Sequence, residues 1–370
     1  MRLPRKYSAA IGLVIMLLAY AKDSFAQQQA PLLDPAGYVN KYDRDFAGIG
    51  PKVYVLPAPR TREELLIDSY REKTTFQDSI DRALDFQQLL QEFKPTSNVA
   101  HIQYLLSPLP ETSLAWNNLV EKEIDRGNYS TAYGLLHAYA AIALRQGATH
   151  QTAGLLQSAL QHAQKTNNTL DIATIQYNLG NVYLFDKNIQ QAGFFQESYY
   201  KNALKQQSIV EQANSLVKIA LIQAYDKDYR SAENNIIRKA IPLLNKAKAY
   251  DRKITAWQSL AKIYQLQNKH TEAQWFLIQA RDLAKNKNFP SELAEIEYML
   301  AFSKFIQKNY KVAQKEFIQA DALAKTEDNK MLQLAIIDKL GEIYMNQHDL
   351  NKAEDALSSY KELRKELFKD

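Results

Sequence analysis

Lys253-Ile-Thr-Ala-Trp257-Gln-Ser-Leu260-Ala261-Lys-Ile-Tyr264 is followed, after Asn268-Lys-His270, by Thr271-Glu-Ala273-Gln-Trp275-Phe-Leu277-Ile-Gln-Ala280. Trp257, Leu260, Ala261 and Tyr264 fall at i, i+3, i+4 and i+7, the apolar face of one helix. The second segment reads as another helix, through Ala273, Leu277 and Ala280 to Leu283. Asn268-Lys-His270 supplies turn and capping chemistry between the two. Ala261 and Ala273 are small because two helix backbones must approach closely there, and a longer side chain forces them apart.

Outward from this stretch the pair of small residues recurs: Ala141/Ala153, Gly180/Ala192, Ala220/Ala232, Ala261/Ala273, Ala301/Ala313 and Gly341/Ala353. Successive first members lie 39, 40, 41, 40 and 40 residues apart. A period held over six copies marks a helical repeat array in which each unit packs on its neighbours. The pattern resembles the tetratricopeptide repeat, carried by Trp257, Leu260, Ala261, Tyr264, Ala273, Leu277 and Ala280. Leu179-Gly180, Tyr183 and Ala192, and Leu340-Gly341, Tyr344 and Ala353, match in the second and sixth units. The usual period is ~34 residues, so each helix here is longer by nearly a turn. That longer unit resembles the arrays in envelope-exposed parts of bacterial sensor histidine kinases and their stand-alone relatives. The resemblance implies an all-α solenoid, a right-handed superhelix of antiparallel helix pairs with a ligand groove on its concave side.

Four segments are expected. Residues 1–26 have a charged start (Arg2, Arg5, Lys6), an apolar run from Ala9 to Ala21 and small residues at Ser24 and Ala26, the layout of a secretory signal peptide. Residues 27–60 hold five prolines and read as an extended arm, with Val53-Tyr-Val-Leu56 the one candidate strand. Residues 61–127, opening on the capping box Thr61-Arg-Glu-Glu64, read as a helical cap over the first repeat. Residues 128–370 hold six repeats.

Composition excludes several chemistries. With no cysteine in 370 residues there is no disulfide, thiolate metal site or thiol nucleophile. The net charge of +5 falls to +2 when residues 1–26 leave with a net +3 (5 − 3), so a nucleic-acid partner loses its electrostatic support. None of His101, His137, His150, His162, His270 and His348 forms a zinc-protease pair, and no Gly-rich phosphate loop or Gly-x-Ser-x-Gly elbow occurs. No catalytic residue, cofactor or metal is expected.

What remains is a surface. First-helix positions at −3, +1 and +4 from each anchor face the groove, which nominates Tyr177, Asn181, Leu221, Gln258, Lys262, Tyr298, Phe302, Phe305, Asp338 and Glu342 as partner-binding residues. Tyr298, Phe302 and Phe305 read either as a pocket for an apolar side chain or as inter-repeat core buried by curvature. Lys262 on one side and Asp338 with Glu342 on the other set a charge direction for a bound segment. The expected protein is an exported scaffold binding a protein or peptide in the bacterial envelope, with no membrane span after signal cleavage. The alternatives are a sensory component of a signalling system and an envelope enzyme. Export is checked by mass spectrometry of the mature N-terminus: cleavage after Ala26 is expected, and an intact Met1 in the cytosol excludes it.

Overall fold

In the computed structural model the described residues are 39–40, 54–55 and 60–368; the leader at 1–26 and most of the arm at 27–60 lie outside them. The chain forms two compact units, Met1–Leu65 and Leu66–Asp370. In the first, β1 (Val39–Asn40) pairs antiparallel with β2 (Tyr54–Val55), Val39 opposite Val55 and Asn40 opposite Tyr54. The arm thus contains a second strand, too short to show a period-two pattern. Thr61 and Glu64 form the expected capping box, each backbone N–H donating to the other's side chain at 2.7 and 3.2 Å.

In the second unit the leading helices are α1 (Arg62–Thr74, which begins in the first unit), α2 (Gln77–Glu92), α3 (Val99–Leu105) and α4 (Ser113–Asp125). Six antiparallel pairs follow. They are α5 (Tyr129–Arg145) with α6 (Thr149–Ala163), and α7 (Thr169–Phe185) with α8 (Ile189–Lys205). In the third pair, α9 (Ile209–Tyr225) faces a composite of α10 (Tyr229–Asn234), a π-helical stretch (Asn235–Ala240) and α11 (Ile241–Ala247). The rest are α12 (Tyr250–Leu266) with α13 (His270–Lys287), α14 (Leu293–Ile306) with α15 (Tyr310–Thr326), and α16 (Lys330–Asn346) with α17 (Leu350–Phe368).

One turn geometry joins the two helices of every pair. Gly147, Lys187, Lys227, Asn268, Lys308 and His348 adopt positive φ, and the next residue's N–H returns to a carbonyl five residues back, as Asn188 does to Tyr183 at 2.9 Å. This is the Schellman ending, which satisfies helix carbonyls left without a partner. Asn188 and Asp228 then cap the following helix, accepting from the N–H of Gln191 and Ser231.

These turns lie 40, 40, 41, 40 and 40 residues apart, which corrects the register of the first unit. Counting 40 back from Gly180 and Ala192 reaches Ala140 and Thr152, both fully buried, whereas Ala141 is half-buried. Thr152 stands at the small position, its hydroxyl donating to the Ala148 carbonyl at 2.9 Å, so a search for Ala or Gly slides one residue along. The spacing of 41 has its own cause. The extra residue falls in the second helix of the third unit and is absorbed as the π-helical stretch Asn235–Ala240, just ahead of Pro242.

The N-terminal helices do more than cap the first repeat. α3 and α4 do cover it: Ile102, Trp116 and Val120 are buried in its core, and Trp116 stacks on Tyr139 at 4.9 Å. α1 instead packs at the opposite end, where Leu66 and Tyr70 are buried with Ala353 and Leu357 of the sixth unit. Between them α2 runs along the first helices of the repeats. Its reach shows how strongly the array curves. A 16-residue helix is about 24 Å long, while five helices in a flat row span about 40 Å, yet α2 and its flanks touch first helices of units two to six. Tyr70 explains Gly341 as well: a Cβ there would lie 2.3 Å from the Tyr70 hydroxyl, which donates to the Ala353 carbonyl at 2.7 Å. Gly341→Ala is expected to destabilise by ~1–3 kcal/mol through overpacking, and Tyr70→Phe to recover part of that loss. Urea unfolding of the two single variants and the double variant checks it; strictly additive costs exclude the contact as the cause.

Candidate functional site

The inner face of the array carries lysines among its apolar residues, and α2 meets it with a stripe of acids. Asp85 and Glu92 are seven residues apart and so share one helix face. Glu92 is held by Lys218 of α9, whose ammonium donates to both carboxylate oxygens at 2.7 and 2.6 Å, and by the Asn181 amide at 3.4 Å. Asp85 is held by Lys262 of α12 at 2.9 Å and by Lys187 at 3.8 Å. Just ahead of α2, in the last turn of α1, the sign reverses. Lys73, 4% exposed, pairs with Asp338, 2% exposed, and donates to the Asp338 carbonyl at 2.8 Å. Burial lowers the Lys73 pKa, and the Asp338 carboxylate opposes that shift.

The turn after α2 is tied to the first two units. Lys94 N–H donates to Asn178 Oδ1 at 3.0 Å, and Asn178 Nδ2 donates to the Lys94 carbonyl at 2.8 Å. The same amide lies 2.9 Å from His137 Nε2. Ser97 donates from N–H and hydroxyl, both at 2.7 Å, to Asp171, which also accepts from Tyr133 at 2.6 Å.

Beside the C-terminal half of α2 lies a cavity of about 500 Å³, bounded by α7, α9, α12, α14 and the turn after α2. Five of the sequence-nominated residues line it: Tyr177, Asn181, Leu221, Gln258 and Lys262. Tyr177 is buried, with the Lys94 ammonium 4.2 Å from its ring centroid and Tyr199 at 5.0 Å. Asn181 accepts from Gln196 at 2.9 Å. Arg252, Glu292 and Glu295, none of them nominated, complete the charged wall. They lie toward the N-terminal end of their helical segments, away from the anchor, so offsets counted from the anchor miss them.

The other five nominated residues sit where α1 and α2 already lie in the groove, so of the two readings of Tyr298, Phe302 and Phe305 the open pocket gives way to core packing. Tyr298, Phe302 and Phe305 are half-buried around Phe317 and Leu84 of α2; Tyr298 is 5.9 Å and Phe305 6.5 Å from the Phe317 ring. Asp338 holds Lys73 and lies 3.0 Å from Lys339, and Glu342 accepts from Lys339 at 2.9 Å. The segment lying between opposite charges on the inner face is the chain's own helix. Among the described residues no group of three or more His, Asp or Glu could hold a metal ion, and no helix is long and apolar enough to cross a membrane.

His137 gives the inner face a pH dependence. Its imidazole is 4% exposed, against Phe93 at 4.9 Å, and burial lowers its pKa from 6.5 to about 4. The folded state therefore stays neutral where the unfolded chain binds a proton. Stability present above pH 6.5 is lost as pH falls through about 4, by roughly 3 kcal/mol in all. His137→Gln should flatten that slope in urea unfolding between pH 7 and 4.5. Parallel wild-type and variant curves exclude it.

No protein-family model matches the chain, and no curated protein sequence matches it. Solved structures do match. A Rap protein complexed with competence and sporulation factor is similar at 17% identity, over 81% of this chain and 77% of that one, with a TM-score of 0.51. A signal transduction ATPase with a tetratricopeptide repeat sensor, from Pyrococcus horikoshii, is similar at 14% identity, over 76% of this chain and 45% of that one, with a TM-score of 0.53. Identities this low speak to architecture alone. With six stacked helix pairs of common turn geometry and this likeness in fold, the chain is a tetratricopeptide-like helical repeat protein.

Proposed function

We propose that the protein is an exported scaffold of the bacterial cell envelope that binds a peptide or a protein segment on the inner face of its repeats. The observation that carries this reading is the cavity of about 500 Å³, where side chains from four first helices converge with the end of α2. Its volume falls in the range of small-ligand sites, about 300–1,000 Å³. Polar groups such as Gln258, Lys218 and Arg252 stand beside Leu221 and Tyr177, a mixture that suits a peptide backbone and its side chains. The Rap protein of similar fold is complexed with competence and sporulation factor, which supports a bound partner as a use for such an array. Export is supported by the layout of residues 1–26.

A second reading, a sensor that changes state when it binds, is favoured by one observation. α2 and the cavity share Glu92 and Asp85, so a ligand that engages Lys218 or Lys262 weakens the hold on α2. Site-specific photo-crosslinking in an envelope fraction tests the scaffold reading. A crosslinker replacing Leu221 should capture a peptide or protein, and one replacing Trp275, exposed on α13, should not. Capture from Trp275 alone excludes the inner face.

A further inference from the structure

The helix α3 is apolar around most of its circumference, with Val99, Ala100, Ile102, Tyr104 and Leu105, yet Ile102 is its one buried side chain. A helix apolar on all sides is normally covered on all sides. Helical geometry sets Ala100 and Tyr104 opposite Ile102, and Tyr104 is 81% exposed. The apolar surface continues through the connection into α4, where Leu105 and Leu109 are exposed and Leu114 is 69% exposed. These side chains crown the N-terminal end of the array, because the inner sides of α3 and α4 close the first repeat. Their area reaches the ~300–600 Å² of the largest apolar patch on an ordinary monomer, a size that marks contact sites.

The charges around the patch narrow what it can meet. Residues 95–110 contain no Asp, Glu, Lys or Arg, in a chain that is 24% charged. Glu111 is the one formal charge from 95 to 120, and the first basic residue after Lys94 is Lys122. An anionic bilayer surface is bound through Lys and Arg placed beside apolar anchors, and this stretch supplies none. Gln103, Ser107, Asn117 and Asn118 are exposed alongside, and each carries both a donor and an acceptor. Such groups can pair with their own copies, which a charged side chain cannot do. The far end of the array differs: Lys361, Glu362, Lys365 and Glu366 are exposed on α17. A head-to-tail contact would set those charges against apolar surface, so the two ends do not match.

We propose that this patch joins two copies of the chain about a two-fold axis, with Tyr104, Leu109 and Leu114 central and the uncharged polar residues at the rim. An isologous contact sets each patch against itself and closes at two copies. Patch and rim together approach the ~800 Å² per partner of a stable interface. No patch residue lines the cavity, so the contact stands apart from whatever the cavity binds.

Sedimentation equilibrium of the purified protein checks the proposal, with the mass of two chains expected at micromolar concentration. Tyr104→Glu with Leu114→Glu sets like charges together across the axis and should weaken dimerisation by roughly a hundredfold or more. Both positions are open to solvent, so the melting curve of the dilute monomer should not change. Gln103→Glu, one polar group for another, serves if the double variant does not fold. The absence of cysteine allows a second readout. Among Tyr104→Cys, Leu109→Cys and Leu114→Cys, at least one should give an intermolecular disulfide on mild oxidation, and Trp275→Cys, on α13, should not. A protein that stays monomeric overturns the proposal; if it then sediments with phosphatidylcholine vesicles and the double variant does not, a bilayer is the occupant. A dimer that the glutamate substitutions leave intact, or one crosslinked through Trp275→Cys alone, overturns it as well.

Discussion

Two helix backbones meeting at one small residue from each is the contact on which the molecule depends. Ala220 with Ala232, Ala261 with Ala273 and Ala301 with Ala313 are fully buried, and at each of them any longer side chain separates the pair. Because the contact recurs at the same distance from the same left-handed turn, seven of the repeat helices come out at 17 residues and stack in register. The first helices then present one continuous inner wall. That wall is what brings Lys218, Lys262 and Asp338, from three different repeats, to a single segment of chain.

The pairs were legible because a close approach tolerates few residue types, and a scarce type at a fixed interval is easy to see. Where another residue does the same job the reading slipped, as it did by one position at Thr152. The 41-residue step was visible as a number, but a π-helical stretch leaves no mark in the sequence beyond one additional residue. Half of the nominated inner-face positions do line the cavity. Periodicity identified the face of each helix and not what covers it. The occupant of the remaining groove, α2, could not be read at all, because its contacts depend on tertiary partners hundreds of residues away. Lys73 and Asp338 are 265 residues apart, and neither shows in its local sequence that it is half of a buried pair. Glu292 and Glu295 read in the sequence as scattered carboxylates, and only tertiary packing places them on the cavity wall.

The electrostatics of the inner face follow from this division. A buried ion pair such as Lys73 with Asp338 contributes little net stability, since desolvating both charges offsets most of their attraction. Its effect is on placement. Lys73 at the end of α1 and the acids Asp85 and Glu92 of α2 match only one direction and one register along the wall, and sliding by a turn leaves charges buried without partners.

A repeat array is ordinarily a nearly one-dimensional object, each unit touching its neighbours and able to fold wherever nucleation starts. α2 changes that. Its anchors lie in units separated by more than a hundred residues, so they come into being only after the units between them have stacked. Contacts of such long range form late, because the chain between them must first be ordered. The helix made before any of the repeats is therefore among the last to find its place. It has to wait for the sixth repeat, and its docking turns a row of locally stable units into a closed, cooperative whole.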